Sequence, residues 1–341
     1  MRDPLVIWGA GAIGGTLAAF WARSGEDVLL VDVDSDHIES CRASGINIEG
    51  PVQEFRANVS ALLPRDVTGR YSRIVLAVKA HHTQAASLAL RPHLTADGFV
   101  LSAQNGLNEL VISKIVGVER TVGAFVNFGA DWLGPGRILF GNRGAVVIGE
   151  LDGSEKDRTY EIHKLMQAFE PQAVLTTNIW GYLWSKLAYG AMLFATALTN
   201  DSMADNFANP TLASLWIDLG REVIGLAEAR GIRPVGFNGF DPTAFARGAS
   251  EEEARSCIEG LAKFNRHSAK THSGIWRDIV VRKRKTEIDE QIGILMKLAN
   301  EVGMEVPLIS CLVELIHDVE KGRRVVSQET LGVLLDQSCS L

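Results

Sequence analysis

Short apolar runs alternate with amphipathic stretches along the first half of the chain, and this alternation sets the expected architecture. Residues 5–8 form an apolar run that enters Gly9-Ala10-Gly11-Ala12-Ile13-Gly14-Gly15, and residues 16–23 carry the spacing of a helix. A turn at Gly25-Glu26-Asp27 leads to a second buried strand over residues 28–31. Ser35 is placed to cap a short helix reaching Ser44, and residues 46–48 with 52–59 read as a hairpin appended to the sheet. Further buried strands are expected at residues 74–78 and 99–102, with a helix over 83–90 between them. Apolar strands alternating with helices imply a mostly parallel, doubly wound α/β sheet of the Rossmann type. From 120 to 148, short strands separated by glycine-rich turns predict antiparallel additions.

Beyond Ile179 the period changes. Apolar residues recur every three or four positions over 184–198, 212–230, 251–268 and 287–302, so the C-terminal part should be nearly all helical. Two domains are expected, 1–177 and 178–341. Residues 237–245, beside Gly236 and containing Gly239 and Pro242, read as an exposed connection.

Composition narrows the class more than the chemistry. With 46% hydrophobic and 22% charged residues, the 341-residue chain has the make-up of an ordinary globular protein. A net charge of −7 gives no reason to expect nucleic acid or an anionic membrane as partner. The chain runs directly into the first strand, so neither a signal peptide nor a spanning helix is expected, and the cytoplasm is the expected location. Cys41, Cys257, Cys311 and Cys339 lie far apart without a Cys-x-x-Cys pair, which argues against zinc or a disulfide framework. They are expected mostly as buried thiols, and no metal site is expected.

The glycine stretch carries the first chemistry. Gly9 suits the tight turn, Gly11 lets a pyrophosphate approach the backbone, and Gly14 lets the helix pack close to the strand. The helix start, from Ala12 and Ile13 onward, offers N–H groups and partial positive charge to phosphate. Three glycines in a turn arise often by chance. Here the strand before, the helix after and the second strand ending in Asp32 appear in order, at about the spacing expected for a carboxylate that accepts the ribose hydroxyls. In such sheets ligands bind beyond the carboxyl ends of the strands, where Lys79 and Asn105 fall.

In the helical part, Lys186 lies among apolar residues in Trp184-Ser185-Lys186-Leu187. Partial desolvation there suits a proton donor, although a lysine that snorkels to solvent fits the same pattern. Residues 270–278 concentrate hydrogen-bonding side chains, among them Lys270, His272 and Ser273; the basic run 282–285 that follows reads as a solvated face.

Taken together, Gly9-Ala10-Gly11-Ala12-Ile13-Gly14, Val78-Lys79-Ala80, Gln104-Asn105-Gly106, Trp184-Ser185-Lys186-Leu187 and Thr286-Glu287-Ile288-Asp289 resemble the ketopantoate reductases, or 2-dehydropantoate 2-reductases, over nearly the whole chain. The resemblance implies a Rossmann domain joined to a helical substrate domain. It implies Lys79 and Asn105 beside the nicotinamide and substrate, Lys186 as proton donor to the keto oxygen, and Glu287 holding substrate or the lysine network. Ser273 would be the substrate-binding serine. Glu287 also fits an exposed helix residue pairing with Lys283.

Three departures bear on substrate and cofactor. The family commonly has asparagines one and two helical turns beyond the lysine, where this chain has Gly190 and Phe194. The segment 278–287 is one residue longer than usual, which leaves the serine's role open between Ser273 and His272. The basic residue suited to the NADPH phosphate is replaced by Asp32, followed by Asp34 and Asp36, so NAD is expected over NADP, unless Asp32 points away. The leading expectation is an oxidoreductase acting on a small carboxylate substrate, as a homodimer built through apolar helices such as residues 308–316. The alternatives are another hydroxy-acid, opine or sugar-acid dehydrogenase, or a dinucleotide sensor without turnover.

Overall fold

The computed structural model describes residues 3–267 and 270–340. The chain divides into two compact units, Met1–Ile179 and Trp180–Leu341.

The first unit is built on strands β1 (Leu5–Trp8), β2 (Val28–Val31), β3 (Ile46–Glu49), β4 (Phe55–Ala57), β5 (Ser60–Leu62), β6 (Tyr71–Leu76), β7 (Leu94–Ser102), β8 (Thr121–Val126), β9 (Gly129–Gly134), β10 (Arg137–Asn142), β11 (Val146–Glu150) and β12 (Val174–Leu175). The main sheet runs β12-β11-β8-β7-β6-β1-β2-β5. It is parallel from β5 to β8, while β11 lies antiparallel to β8 and β12 follows β11. Helices α1 (Ala12–Arg23), α2 (Ser35–Ser44), α3 (Thr83–Leu90), α4 (Glu109–Val116) and α5 (Asp157–Phe169) complete it. The continuous apolar runs of the strands are explained by burial on both faces. Leu5 and Ile7 pack into one core with α1, and Val6 and Trp8 into a second with Leu90 of α3 and Ile112 of α4. Strand order reverses between β1 and β6, where a doubly wound sheet opens a crevice.

Four local expectations are corrected. The hairpin forms, with Ile46 opposite Ala57, but it belongs to a separate four-stranded sheet ordered β4-β3-β10-β9. The expected strand over 52–59 shortens to β4, Phe55–Ala57, and residues 60–62 beyond it pair in parallel with β2. In the region from 120, β8 extends the parallel sheet rather than adding to it in antiparallel fashion. Asp34, not Ser35, caps α2, accepting from His37 N at 2.9 Å.

The second unit holds α6 (Ile179–Thr196, its first residue assigned to the first unit), α7 (Met203–Ala208), α8 (Ala213–Ala229), α9 (Glu251–Arg266), α10 (Gly274–Trp276), α11 (Ile294–Glu301), α12 (Pro307–Glu320) and α13 (Gln328–Ser338). Two π-helical turns, Arg277–Val281 and Asp289–Gly293, extend α10 and precede α11. The α8 helix packs on α9, α12 and α13, with Trp216 fully buried. Residues 237–245 are not an exposed connection: Phe237, Phe240 and Phe245 are buried, and the last two stack at 5.4 Å. The apolar face of α12 (Leu308, Ile309, Leu312, Val313, Leu315, Ile316) is also buried within the unit, so it does not offer the surface from which self-association was expected. Of the four free cysteines only Cys41 and Cys257 are buried. No helix among the described residues is long and apolar enough to cross a membrane.

Candidate functional site

The turn between β1 and α1 is closely packed at Gly9 and Gly14 and open at Gly11. Gly9 has φ +105°, a region closed to side-chain-bearing residues at little cost, and a Cβ there would lie 2.6 Å from Val78 N. A Cβ on Gly14 would lie 2.0 Å from Gly9 O, so this glycine sets how closely helix and turn approach. At Gly11, by contrast, a Cβ would meet nothing within 4 Å. Gly11 is also the N-cap of α1 and, having no side chain, makes no capping bond to the first-turn N–H groups of the helix. Asp32, beyond β2, points back to this turn. Its Oδ2 accepts from Ala10 N at 2.7 Å, and its Oδ1 accepts from Asp34 N at 3.0 Å. Each oxygen retains a second lone pair.

Lys79 and Asn105 are both exposed on the loops following β6 and β7. A buried polar network joins these loops. Gln104 Nε2 donates to Val78 O and to Thr83 Oγ1, both at 2.8 Å; Thr83 Oγ1 donates to Asn108 Oδ1 at 2.8 Å; Asn108 Nδ2 donates to Asn105 O at 2.6 Å. Gln104, Thr83 and Asn108 thus tie the two loops to one another, a linkage that the sequence reading missed. Polar residues next to a Gln-Asn-Gly turn were the available signal, but their pairing spans about a helix and a strand.

In the second unit Lys186 occupies the half-exposed stripe of an otherwise buried helix, in line with Tyr182, Tyr189, Gly190 and Leu193. Its neighbour Ser185 anchors that helix, donating to Gly181 O at 2.9 Å and accepting from Val235 N at 3.0 Å. Space beside Gly190 is open, whereas Phe194 turns inward and is 1% exposed. Tyr189 packs edge-on against Phe237, and its hydroxyl accepts from Asn265 Nδ2 at 3.1 Å.

Glu287 is 9% exposed, which removes its reading as a surface residue paired with Lys283. Just before it, Thr286 donates through both N and Oγ1 to Glu320 at 2.7 Å, fixing the segment to α12. Ser273 is buried and caps α10 through Trp276 N at 3.2 Å; His272 stacks on Trp276 at 4.1 Å. A Cβ on Gly274 would lie 3.8 Å from Lys270 Nζ, so Lys270 also reaches this helix start. The chain therefore brings Lys270, His272 and Ser273 together around α10.

The basic run is exposed yet heavily paired rather than simply solvated. Buried Asp278 accepts from Arg282 and Arg284, each at 2.9 Å, and Lys285 pairs with Asp289 at 2.9 Å, a carboxylate shared with His317 Nε2 at 2.8 Å. Asp289 is drawn below the ordinary range by Lys285 and His317 in spite of its partial burial.

Comparison with known proteins places this geometry in context. The model described as "Ketopantoate reductase PanE/ApbA" matches residues 5–153, and "Ketopantoate reductase PanE/ApbA C terminal" matches residues 178–320. A 2-dehydropantoate 2-reductase of Pyrococcus horikoshii is 27% identical over 310 residues, covering 89% of this chain and 93% of its own. One from Mesorhizobium japonicum is 25% identical over 346 residues, covering 93% and 98%. In structure, D-mandelate dehydrogenase, solved in a ternary structure with NADH and anilino(oxo)acetate, matches with TM-score 0.81 over 95% of this chain and 100% of its own. At 21% identity that is a likeness of fold.

Proposed function

Since the chain belongs to the ketopantoate reductase family, we propose that it is an NAD(P)-linked oxidoreductase that moves hydride between a nicotinamide dinucleotide and the 2-carbon of a small 2-keto or 2-hydroxy acid. The observation that carries this reading is the turn at Gly9 to Gly14. It combines an open backbone approach at Gly11, a helix start without a side-chain cap, and a carboxylate fixed beside it by Ala10 N. Those are the requirements of a pyrophosphate and a ribose.

The nicotinamide, when bound, supplies or accepts the hydride. Gly9, Ala10, Gly11, Ala12, Ile13 and Gly14 hold the pyrophosphate, and Lys79 and Asn105 serve the nicotinamide end and the substrate. Charge grows on the 2-keto oxygen as hydride arrives. Lys186 is the cation that stabilises this charge and then gives up an Nζ proton, an interaction worth most in the transition state. Glu287 steadies the lysine's charge or the substrate, and Ser273, His272 and Lys270 grip the carboxylate. NAD is the preferred cofactor because Asp32 accepts from ribose hydroxyls but repels a 2′-phosphate. At about 4 Å and an effective dielectric near 20, each charge pair costs roughly 4 kcal/mol before screening.

The acid's remaining substituent is apolar in this reading. One and two helical turns beyond Lys186, Gly190 has no side chain and Phe194 is buried, so neither position offers the acid a polar atom. Oxidation of NADH and NADPH in the presence of 2-keto acids bearing alkyl, aryl or hydroxylated side chains tests the proposal. Binding of a dinucleotide without oxidation by any acid would replace it with the sensor reading.

A further inference from the structure

His37 lies on α2 with 2% exposure, and both of its ring nitrogens are used. Gly136 N, in the turn between β9 and β10, donates to Nδ1 at 2.9 Å; Nε2 lies 2.8 Å from Ala10 O. A backbone N–H can only donate. Nδ1 is therefore the bare nitrogen, and Nε2 carries the proton that it donates to Ala10 O. The Ala10 residue is thereby clamped on both sides, its N–H by Asp32 and its carbonyl by His37. The far end of this link is equally firm: Gly136 O accepts from Asn47 N at 2.8 Å. Ile138 of β10 also fills the space left by Gly15, where a Cβ would lie 2.4 Å from its Cδ1.

We propose that His37 is a positioning residue for the dinucleotide turn, a strut through which the second sheet fixes the Ala10 carbonyl and so the orientation of the peptide groups that face a bound dinucleotide. The inference rests on the dinucleotide reading above. Ala10 is fully buried, so its carbonyl has no water to replace His37, and losing the donor frees the turn to rotate. The rest of the second sheet then has a purpose beyond covering α1: it sets the binding loop from the side opposite the main sheet's strands.

Two variants divide the link at the ring. In His37→Gln the amide nitrogen reaches the place of Nε2 and keeps the bond to Ala10 O. In His37→Asn the amide oxygen reaches the place of Nδ1 and keeps only the bond to Gly136 N. Dinucleotide affinity, measured by NADH and NADPH titration, should fall about tenfold in His37→Asn, equivalent to about 1.4 kcal/mol, and by less than about threefold in His37→Gln. The kcat at saturating dinucleotide should change little in either. Equal loss in the two variants, undiminished affinity in His37→Asn, or a fall in kcat with unchanged affinity would overturn the assignment. Should a variant not fold, nitrogen NMR of the His37 ring in the parent protein decides: a protonated Nδ1 contradicts the strut and a bare one supports it. A parent protein that binds neither dinucleotide overturns the strut together with the reading beneath it, whereas a parent that binds while the variants match overturns the strut alone.

Discussion

The glycine turn of the first unit and the helix packing of the second solve the same problem, holding polar groups in fixed places, over different distances along the chain. Around the turn the partners are close in sequence: Asp32 reaches Ala10 across 22 residues and His37 reaches it across 27. In the helical unit, Glu222 of α8 accepts from Leu308 and Ile309 at the start of α12 across 86 and 87 residues, and Ser338 donates to Asp218 across 120. A site assembled within one βαβ unit is written in consecutive residues. One assembled between helices depends on packing that no local stretch contains.

The sharpest way to break this comparison is at Lys186, where local sequence alone favoured a lysine that snorkels to solvent and only the family resemblance pointed to a proton donor. Lys186→Ala should lower turnover by about a hundredfold or more, the scale of a positioned acid, with dinucleotide affinity little changed. Equal turnover in variant and parent would return Lys186 to the surface.

The long-range pairing of the second unit predicts a pH dependence. Burial pushes the Glu222 carboxyl up to about 7, against the pull of the N–H groups of Ile309 and Leu308. Its ordinary value is 4.5, so between these two values the folded chain binds more protons than the unfolded chain, and stability must fall as pH rises through that window. The contribution is on the order of 3 kcal/mol at most. Denaturant melts at pH 5 and pH 8 should show the loss in the parent and a flatter profile in Glu222→Gln. A parent more stable at pH 8, with the variant unchanged, would remove Glu222 as the cause.

Cofactor choice sharpens the other side. Even a quarter of the roughly 4 kcal/mol repulsion at Asp32 favours NADH over NADPH about fivefold in kcat/KM. Asp32→Asn, which keeps an acceptor but loses the charge, should narrow that ratio. A parent that prefers NADPH would show that Asp32, although fixed at the turn, does not set the choice.

The smallest effect is expected at Gly190. Open space beside it admits a side chain, so Gly190→Asn should fold and shift kcat/KM about threefold toward hydroxylated 2-keto acids and away from alkyl or aryl ones. Unaltered relative rates across such a panel would place the substrate's side chain elsewhere.

Much of the first unit was legible in the sequence alone. Continuous apolar runs implied strands buried on both faces, and the helix over 83–90 forms at those residues. The glycine spacing also anticipated three distinct jobs: a left-handed turn at Gly9, open approach at Gly11 and close packing at Gly14. What escaped was pairing. The hairpin at 46–57 is local and was visible, but its membership of a second sheet depends on β10, some ninety residues on. His37 carried no local signal, since a lone histidine on a short helix has many uses. In the second unit, helical period located the long helices but not the π turns at 277–281 and 289–293, whose i→i+5 bonds leave no mark on a pattern of apolar spacing.

The sequence alone determined the order of strands and helices, the glycine turn with its acid at Asp32, and the apolar stripe around Lys186, because each follows from periodicity or steric rules acting over a few residues. Only the tertiary structure decided that Glu287 is buried, that residues 237–245 are core, that Asp278 gathers the basic run, and that Gly136 reaches Ala10 through His37. Those outcomes depend on which surfaces meet, and a buried polar group takes whichever partner the packing brings within about 3 Å.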